Sequence, residues 1–194
     1  AIQGDREVYY KGKIVPTMEA FNAEGIKPLP IEAKEGLAIM NGTSVMTAVA
    51  SLAWKKAERL AKISDFLTAV TSEITRGKDT PFVAKVSEIK NHKGQIDSAA
   101  YVYNIIKDSK RVWRYEEFLK NQIEKLDGKK FVAQTNKIQD RYSIRCAPQI
   151  TGVYRDTLRF ARDLITEELN SANDNPLVDI DAGRLYNTGN FYGG

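Results

Sequence analysis

Residues 43–76 decide the fold, and they read TSVMTAVASLAWKKAERLAKISDFLTAVTSEITR. Apolar side chains recur along this stretch at steps of three and four, the spacing that gathers them on one face of an α-helix. They are Met46, Val49, Ala53, Ala57, Leu60, Ile63, Leu67, Val70 and Ile74. Gly77 is a suitable C-terminal stop. At about 1.5 Å per residue the predicted helix is roughly 50 Å long, more than the width of a compact domain of this size.

The same stretch carries a second apolar stripe, so the helix has more than one face to bury. The residues of this stripe are Val45, Leu52, Phe66 and Ala69. A long helix that is apolar on several sides needs neighbours on several sides. We therefore predict a mainly α fold, a bundle of long helices whose packing partners lie partly on other chains or on further sequence.

Short β-rich runs flank the helical part of the chain near both ends. Glu7–Tyr10 and Ile14–Pro16 are separated by a glycine turn, and Leu177–Ile180 is separated from Arg184–Tyr186 by Asp181–Gly183. Runs of this length about a turn are typical of hairpins. We predict a small hairpin near each end.

A second long helix is predicted over residues 148–169. Pro148 suits a first helical turn, and the Asn-rich run 170–176 ends the helix. Residues 107–136 are strongly charged with a weak helical pattern, which predicts a surface excursion. Otherwise the composition changes little, so residues 1–194 are predicted to form a single central segment of a helical bundle.

Composition excludes several classes of protein. The chain has 194 residues, 42% of them hydrophobic, and its net charge of +4 comes from 29 basic residues interleaved with 25 acidic ones, so no nucleic-acid partner is predicted. With one histidine, His92, and one cysteine, Cys146, it lacks the ligands of a usual zinc site, and no metal is predicted. No apolar run approaches the roughly 18 residues that a membrane span needs, so no membrane is expected. The lone cysteine fits a reducing compartment, and we expect a cytoplasmic location.

A polar run at Gln139–Arg145 reads QDRYSIR and is the first candidate for a binding site. On a helix, Gln139, Tyr142 and Arg145 would share one face roughly 120° wide. A guanidinium can hold a carboxylate, a phenol can transfer a proton and an amide can orient a ligand. A solvated helix face explains the same pattern, so this run alone leaves both interpretations open.

Three further motifs accompany that run in order along the chain. Lys34–Thr43 reads KEGLAIMNGT, Asn173–Pro176 reads NDNP and Gly189–Phe191 reads GNF. With Gln139–Arg145 in its place between the first and second of these, the series resembles the aromatic amino acid lyase family. That family contains histidine, phenylalanine and tyrosine ammonia-lyases and the related 2,3-aminomutases. The resemblance covers nearly the whole chain.

The resemblance implies a reaction and a prosthetic group. Enzymes of that family carry an electrophilic methylidene-imidazolone (MIO) ring, formed by cyclisation of their own Ala-Ser-Gly segment. With it they eliminate ammonia from an aromatic amino acid and release an arylacrylate. These residues contain no Ala-Ser-Gly. By resemblance it should lie upstream of Ala1, and the remaining long helices of the fold should follow Gly194, so this fragment alone is expected to be inactive.

The resemblance also implies roles for single residues. Arg145 matches the arginine that pairs with the substrate carboxylate, and Asn175 matches an asparagine that assists it. Phe191 matches an aromatic side chain that packs at the same site, on the electrophile. The catalytic set comprises a tyrosine beside the reacting centre and two amides that orient the electrophile: Tyr142, Asn41 and Gln139.

The implied function is elimination of ammonia from an aromatic L-amino acid by a homotetrameric parent enzyme. Phenylalanine or tyrosine is favoured, because Gly94–Ile96 and Asn173–Leu177 look more like the lyases for those substrates, and because Tyr192 stands where a histidine is often found. One alternative is a 2,3-aminomutase of the same family. The other is a non-catalytic helical interaction module descended from such an enzyme.

Overall fold

The computed structural model describes residues 1–126 and 139–189, and most of this part of the chain is helical. Its helices, α1 to α8 in chain order, are Thr17–Glu24, Glu35–Met40, Ser44–Ile74, Ala84–Lys90, Lys93–Ile106, Tyr115–Leu126, Tyr142–Arg145 and Ala147–Leu169. Its strands, β1 to β4, are Glu7–Tyr10, Lys13–Pro16, Leu177–Asp179 and Arg184–Tyr186. A 3-10 turn, Thr80–Phe82, precedes α4. The predicted mainly α fold is confirmed.

Two compact units divide the chain, and the first contains both hairpins. It comprises Ala1–Ser44 and Ala172–Gly194. β1 pairs antiparallel with β2, and β3 pairs antiparallel with β4, as the sequence predicts. The first hairpin turns through Lys11 and Gly12, whose φ angles are 46° and 85°. Two positive φ values in a two-residue loop match the right-handed twist of the strands, and glycine adopts such a value without strain.

The second unit, Val45–Ser171, holds the long helices. Its apolar core is small and draws one or two residues from each of several elements. The core residues are Ala69, Phe82, Val102, Ile106, Val112 and Ile144. Helices α5 and α8 meet where Gly94 faces Gly152, and a Cβ added to Gly152 would lie 2.5 Å from the Gln95 backbone nitrogen. The two helices can approach this closely because neither has a side chain at the crossing.

Helix α3 confirms the prediction for residues 43–76 to within two residues at each end. The expectation that no apolar run approaches the length of a membrane span needs correction, whereas the expected absence of a membrane partner stays a prediction. The segment Glu35–Ile74 contains an 18-residue window with a mean hydropathy of 1.3, and by length and composition alone it could cross a membrane. The path is not one continuous helix, because α2 ends at Met40 and α3 begins at Ser44. The interruption at residues 41–43 contains Asn41 and Gly42 of the motif Lys34–Thr43.

The predicted surface excursion at 107–136 is only partly described, since residues 127–136 lie outside the described ranges. Residues 112 and 113 pack against the rest of the second unit, to which they belong. Val112 is 5% exposed and belongs to the core. The Trp113 N–H donates to the Gly77 carbonyl at 2.8 Å, and the Asp79 N–H donates to the Trp113 carbonyl at 3.1 Å. This part of the stretch is therefore held to the turn that follows α3.

Candidate active site

The run Gln139–Arg145 contributes one short helix and an extended lead-in. Helix α7 begins at Tyr142, and Arg141 before it has φ −62° and ψ 154°, which is extended backbone. The predicted helical face shared by Gln139, Tyr142 and Arg145 is therefore wrong for Gln139. The helix cannot reach back to Gln139, because the buried Asp140 side chain turns toward the end of α3 and accepts the Lys78 N–H at 2.7 Å.

Tyr142 and Arg145 are brought together by one turn of α7. The Arg145 guanidinium carbon lies 4.0 Å from the centroid of the Tyr142 ring, close enough for a cation–π contact. The Tyr142 side chain is 71% exposed. The Arg145 Nε is buried and has no hydrogen-bond partner among the described residues. A buried N–H without a partner is costly, so a ligand that accepts a hydrogen bond from this atom would be stabilised.

Gln139 and Arg145 both line a cavity of about 510 Å³ in the second unit. Part of its lining is aromatic and comes from the charged stretch that the sequence assigns to the surface. The aromatic lining residues are Trp113, Tyr115 and Phe118. The Lys78 ammonium lies 5.2 Å from the Phe118 ring centroid. A volume of several hundred Å³ with apolar walls and a few polar groups is typical of small-molecule sites.

The first unit places two other candidate residues on neighbouring segments. Asn41 is exposed just after α2, and Gly42, with φ 78°, lies so close to the Asn173 carbonyl that a Cβ would not fit. Lys34 forms an ion pair with Asp174 at 3.4 Å. The Asn175 Oδ1 accepts the Thr188 N–H at 3.0 Å. The structure therefore packs the motif of Asn41 against the motif of Asn175.

One predicted site residue is untested, and one buried residue beside the site was not predicted. Phe191 lies outside the described residues, so its predicted role is untested. Asp140 was not among the predicted site residues, although it is 5% exposed and lies between two polar neighbours. The signal in the sequence was an acidic residue beside a candidate glutamine, but acidic residues are common on surfaces and only packing reveals burial.

Comparison with known proteins gives a consistent result over the whole chain. The model of the aromatic amino acid lyase family matches residues 1–194. Histidine ammonia-lyase of Stigmatella aurantiaca is 38% identical over 190 residues, which are 98% of this chain and 34% of that protein. The corresponding enzyme of Myxococcus xanthus is also 38% identical over 190 residues, with the same coverage. The chain thus spans 34% of the length of these curated relatives.

Solved structures of similar architecture include two aminomutases. Phenylalanine aminomutase of Pantoea agglomerans has a TM-score of 0.79 and 35% identity, covering 98% of this chain and 37% of that one. Tyrosine aminomutase of Streptomyces globisporus has a TM-score of 0.79 and 36% identity, covering 99% of this chain and 37% of that one. The helical architecture is therefore the one that these enzymes share.

Proposed function

This chain belongs to the aromatic amino acid lyase family, and we propose that it is a segment of an enzyme that eliminates ammonia from an aromatic L-amino acid. The observation that carries the proposal is the family match over residues 1–194. The product would be the corresponding arylacrylate. Elimination breaks the carbon–nitrogen bond and removes a β-proton, so the site must bind an amino acid in a fixed orientation.

Arg145 is the proposed ligand of the substrate carboxylate. Its buried Nε, which lacks a partner in the described part of the chain, supports this role because a carboxylate would satisfy it. A planar guanidinium holds a carboxylate by two parallel hydrogen bonds, so the carboxylate is oriented as well as bound. The cation–π contact with the Tyr142 ring restrains the orientation of the guanidinium plane. We propose that Asn175 assists Arg145, and that Phe191 packs at the same site.

Tyr142 is the proposed proton-transfer group beside the reacting centre. Its exposed ring is free to meet a substrate, and a phenol can both donate and accept a proton.

We propose that Asn41 and Gln139 orient the family's MIO group, as the resemblance implies. Both are exposed amides, able to donate to a carbonyl oxygen of such a ring, and Gln139 lines the same cavity as Arg145. When bound, the group would supply the electrophile that makes the amine a better leaving group. Cyclisation of a peptide segment expels water, so an intact mass below that of the encoded full-length sequence would support the proposal. An unmodified mass would contradict it.

The substrate is proposed to be phenylalanine or tyrosine, as the sequence motifs favour. Histidine is the second candidate, because curated relatives at 38% identity are named histidine ammonia-lyases. An aminomutase is the second candidate for the reaction, because solved relatives with a TM-score of 0.79 are aminomutases. Turnover of all three amino acids by the full-length protein, with separate detection of arylacrylates and β-amino acids, decides among these candidates. Absence of turnover would favour the interaction-module alternative.

We also propose a homotetramer in the cytoplasm. The proposal of self-association is supported by the many large apolar side chains that α3 exposes. Light scattering that gives a monomer mass for the full-length protein would contradict it. Fractionation of cells that places the protein in a membrane or secreted fraction would contradict the location.

The site assignment is tested by Arg145→Ala in the full-length enzyme. We expect kcat/KM to fall by an amount equivalent to about 2 to 5 kcal/mol, as when a buried charged hydrogen-bonding partner is truncated. Arg145→Lys should recover little of this loss, because an ammonium cannot form the paired hydrogen bonds. Arg141→Ala is the matched control, since Arg141 is exposed and lies one turn away. Equal kcat/KM for Arg145→Ala and Arg141→Ala would refute the assignment.

A further inference from the structure

Asp140 is a buried carboxylate within the run Gln139–Arg145. It is 5% exposed, whereas its neighbours Gln139 and Arg141 are exposed. Its Oδ2 accepts the Lys78 N–H at 2.7 Å, and a Cβ added to Gly77 would lie 3.5 Å from the same oxygen. A carboxylate is costly to bury unless it accepts hydrogen bonds. Asp140 therefore fits closely against the Gly77–Lys78 turn.

That turn is itself held in place by backbone hydrogen bonds from two directions. The Gly77 N–H donates to the Ser72 carbonyl at 2.8 Å, which closes the C-terminal end of α3. The Gly77 carbonyl accepts the Trp113 N–H at 2.8 Å. A turn fixed at both its N–H and its C=O is a rigid support. The Asp140 contact thus ties the run 139–145 to the end of the longest helix.

Gln139 depends on this tie for its position at the cavity. It lies one residue before Asp140, and helix α7 begins only at Tyr142, so no helical hydrogen bond of α7 holds Gln139. Arg141, between them and the helix, is in extended conformation. A shift of Asp140 would therefore move Gln139 within the cavity that Gln139 and Arg145 both line.

We propose that Asp140 is a positioning residue: its hydrogen bond to the Lys78 N–H holds Gln139 in the orientation that the elimination reaction requires. The inference rests on the proposed function, since it assigns Asp140 a role in that same site. The proposed action is through the geometry of this contact, and the variants below distinguish it from an effect of the Asp140 charge. Misplacement of a catalytic group by about 1 Å can cost a hundredfold in rate, so the effect on turnover is measurable.

Two substitutions in the full-length enzyme separate geometry from charge. Asp140→Asn keeps the shape and one acceptor oxygen but removes the charge, so kcat/KM should stay within about threefold of the parent value. Asp140→Glu keeps the charge but adds a methylene at a buried position, which forces the segment to move. For it we expect kcat/KM to fall by about tenfold to a hundredfold. The reverse order of the two variants would overturn the inference.

Asp65 supplies the matched control, because it too is a buried aspartate of the second unit. It accepts the Ser98 hydroxyl and the Arg155 guanidinium, each at 2.6 Å, and it is not among the described residues that line the cavity. Asp65→Glu should lower the thermal midpoint as Asp140→Glu does, yet leave kcat/KM within about twofold. An equal loss of kcat/KM for the two glutamate variants would reduce Asp140 to a purely structural role and overturn the inference.

A double-mutant cycle distinguishes failure of this inference from failure of the proposed site. If Asp140 acts through Gln139, the kcat/KM penalty of Asp140→Glu should largely disappear in a Gln139→Ala background. An undiminished penalty there overturns the inference alone. Unchanged kcat/KM for Gln139→Ala itself overturns the proposed role of Gln139, and the inference with it. If Asp140→Glu does not fold, Asp140→Ala removes the acceptor without added bulk, and the same loss is expected.

Discussion

In most surface helices the buried face is apolar and the exposed face is polar, but helix α3 shows the reverse. The buried face carries small or polar residues, which are Thr47, Ala61, Asp65, Ala69 and Ser72. The exposed face carries large apolar residues, which include Val49, Leu52, Leu60, Phe66, Leu67 and Ile74. The fraction exposed is 67% for Leu52 and 48% for Phe66. The face richest in apolar area is thus the one that the described part of the chain leaves open.

The difference shows that the two faces have different tasks. Small residues on the buried face let neighbouring helices approach, and Asp65 links three helices by accepting the Ser98 hydroxyl at 2.6 Å and the Arg155 guanidinium at 2.6 Å. Trp54 adds a hydrogen bond from its Nε1 to the Leu158 carbonyl at 2.7 Å. The open face offers area without specific contacts, which suits the proposed packing against another copy of the chain.

The largest expected effect comes from the buried face. Asp65→Ala removes the partner of Arg155, whose side chain is 17% exposed, and leaves that cation inside the second unit without its carboxylate. Breaking a buried ion pair in this way costs about 3 to 5 kcal/mol. Denaturant unfolding of the full-length protein measures the loss. Asp163→Ala is the control, because the Arg162–Asp163 pair is largely exposed and should contribute less than about 1 kcal/mol. Equal losses would mean that the Asp65 contacts are dispensable.

A smaller effect distinguishes the two faces by size alone. Ala69 is 1% exposed, and Ala69→Leu should lower the free energy of unfolding by about 1 to 3 kcal/mol through overpacking. Ala53 is an exposed alanine on the same helix, and Ala53→Leu should change that free energy by less than about 0.5 kcal/mol. Thermal unfolding of both variants tests the comparison. A comparable loss for Ala53→Leu would show that the open face is tightly covered in the assembled protein.

The smallest effect concerns an ion cluster on α3 formed by Lys55, Glu58 and Lys62. Hydrogen bonds from Lys55 and then Lys62 lower the pKa of the Glu58 carboxyl below its usual value of 4.5. A lowered folded-state pKa contributes stability that is present above the unfolded pKa and is lost as the pH falls through the folded pKa. Glu58→Gln should therefore destabilise the protein by a few tenths of a kcal/mol near neutral pH, and by nothing below the folded pKa.

Unfolding curves at pH 7 and at acid pH below the folded-state pKa of Glu58 provide the measurement for Glu58→Gln. The difference between the two proteins at neutral pH should also shrink as salt is added, because both lysines are largely exposed. A difference that is the same at both pH values would show that Glu58 acts by packing and not by charge.

The two longest helices and both hairpins could be predicted from the sequence because their signals are local. The spacing of apolar residues located α3, Pro148 and the run after Leu169 located α8, and turn residues located both hairpins. The run at 139–145 was harder to predict. Its three-residue spacing suggested one helical face, but the Asp140 contact with Lys78, 62 residues away, draws the chain out of the helix before Tyr142. A distant hydrogen bond leaves no trace in local spacing.

The candidate site, too, could be predicted only in part. Resemblance to a family pointed to Arg145, Tyr142 and Gln139, and the structure places Arg145 beside Tyr142 and in the lining of one cavity with Gln139. The aromatic part of that lining could not be predicted, because Trp113 and Phe118 lie in a stretch whose composition is that of a surface. Folding back of that stretch onto Gly77 brings them to the cavity.

Local sequence patterns were sufficient to predict long helices with a hairpin near each end, since periodicity and turn residues act over a few neighbouring positions. They did not predict which face of α3 is buried, because the sequence presents apolar residues on more than one face, and helix packing selects among them. The choice depends on Asp65 meeting Arg155, 90 residues along the chain. Contacts across such distances are set by the packing of whole helices, and that packing is what buries an aspartate while leaving leucines exposed.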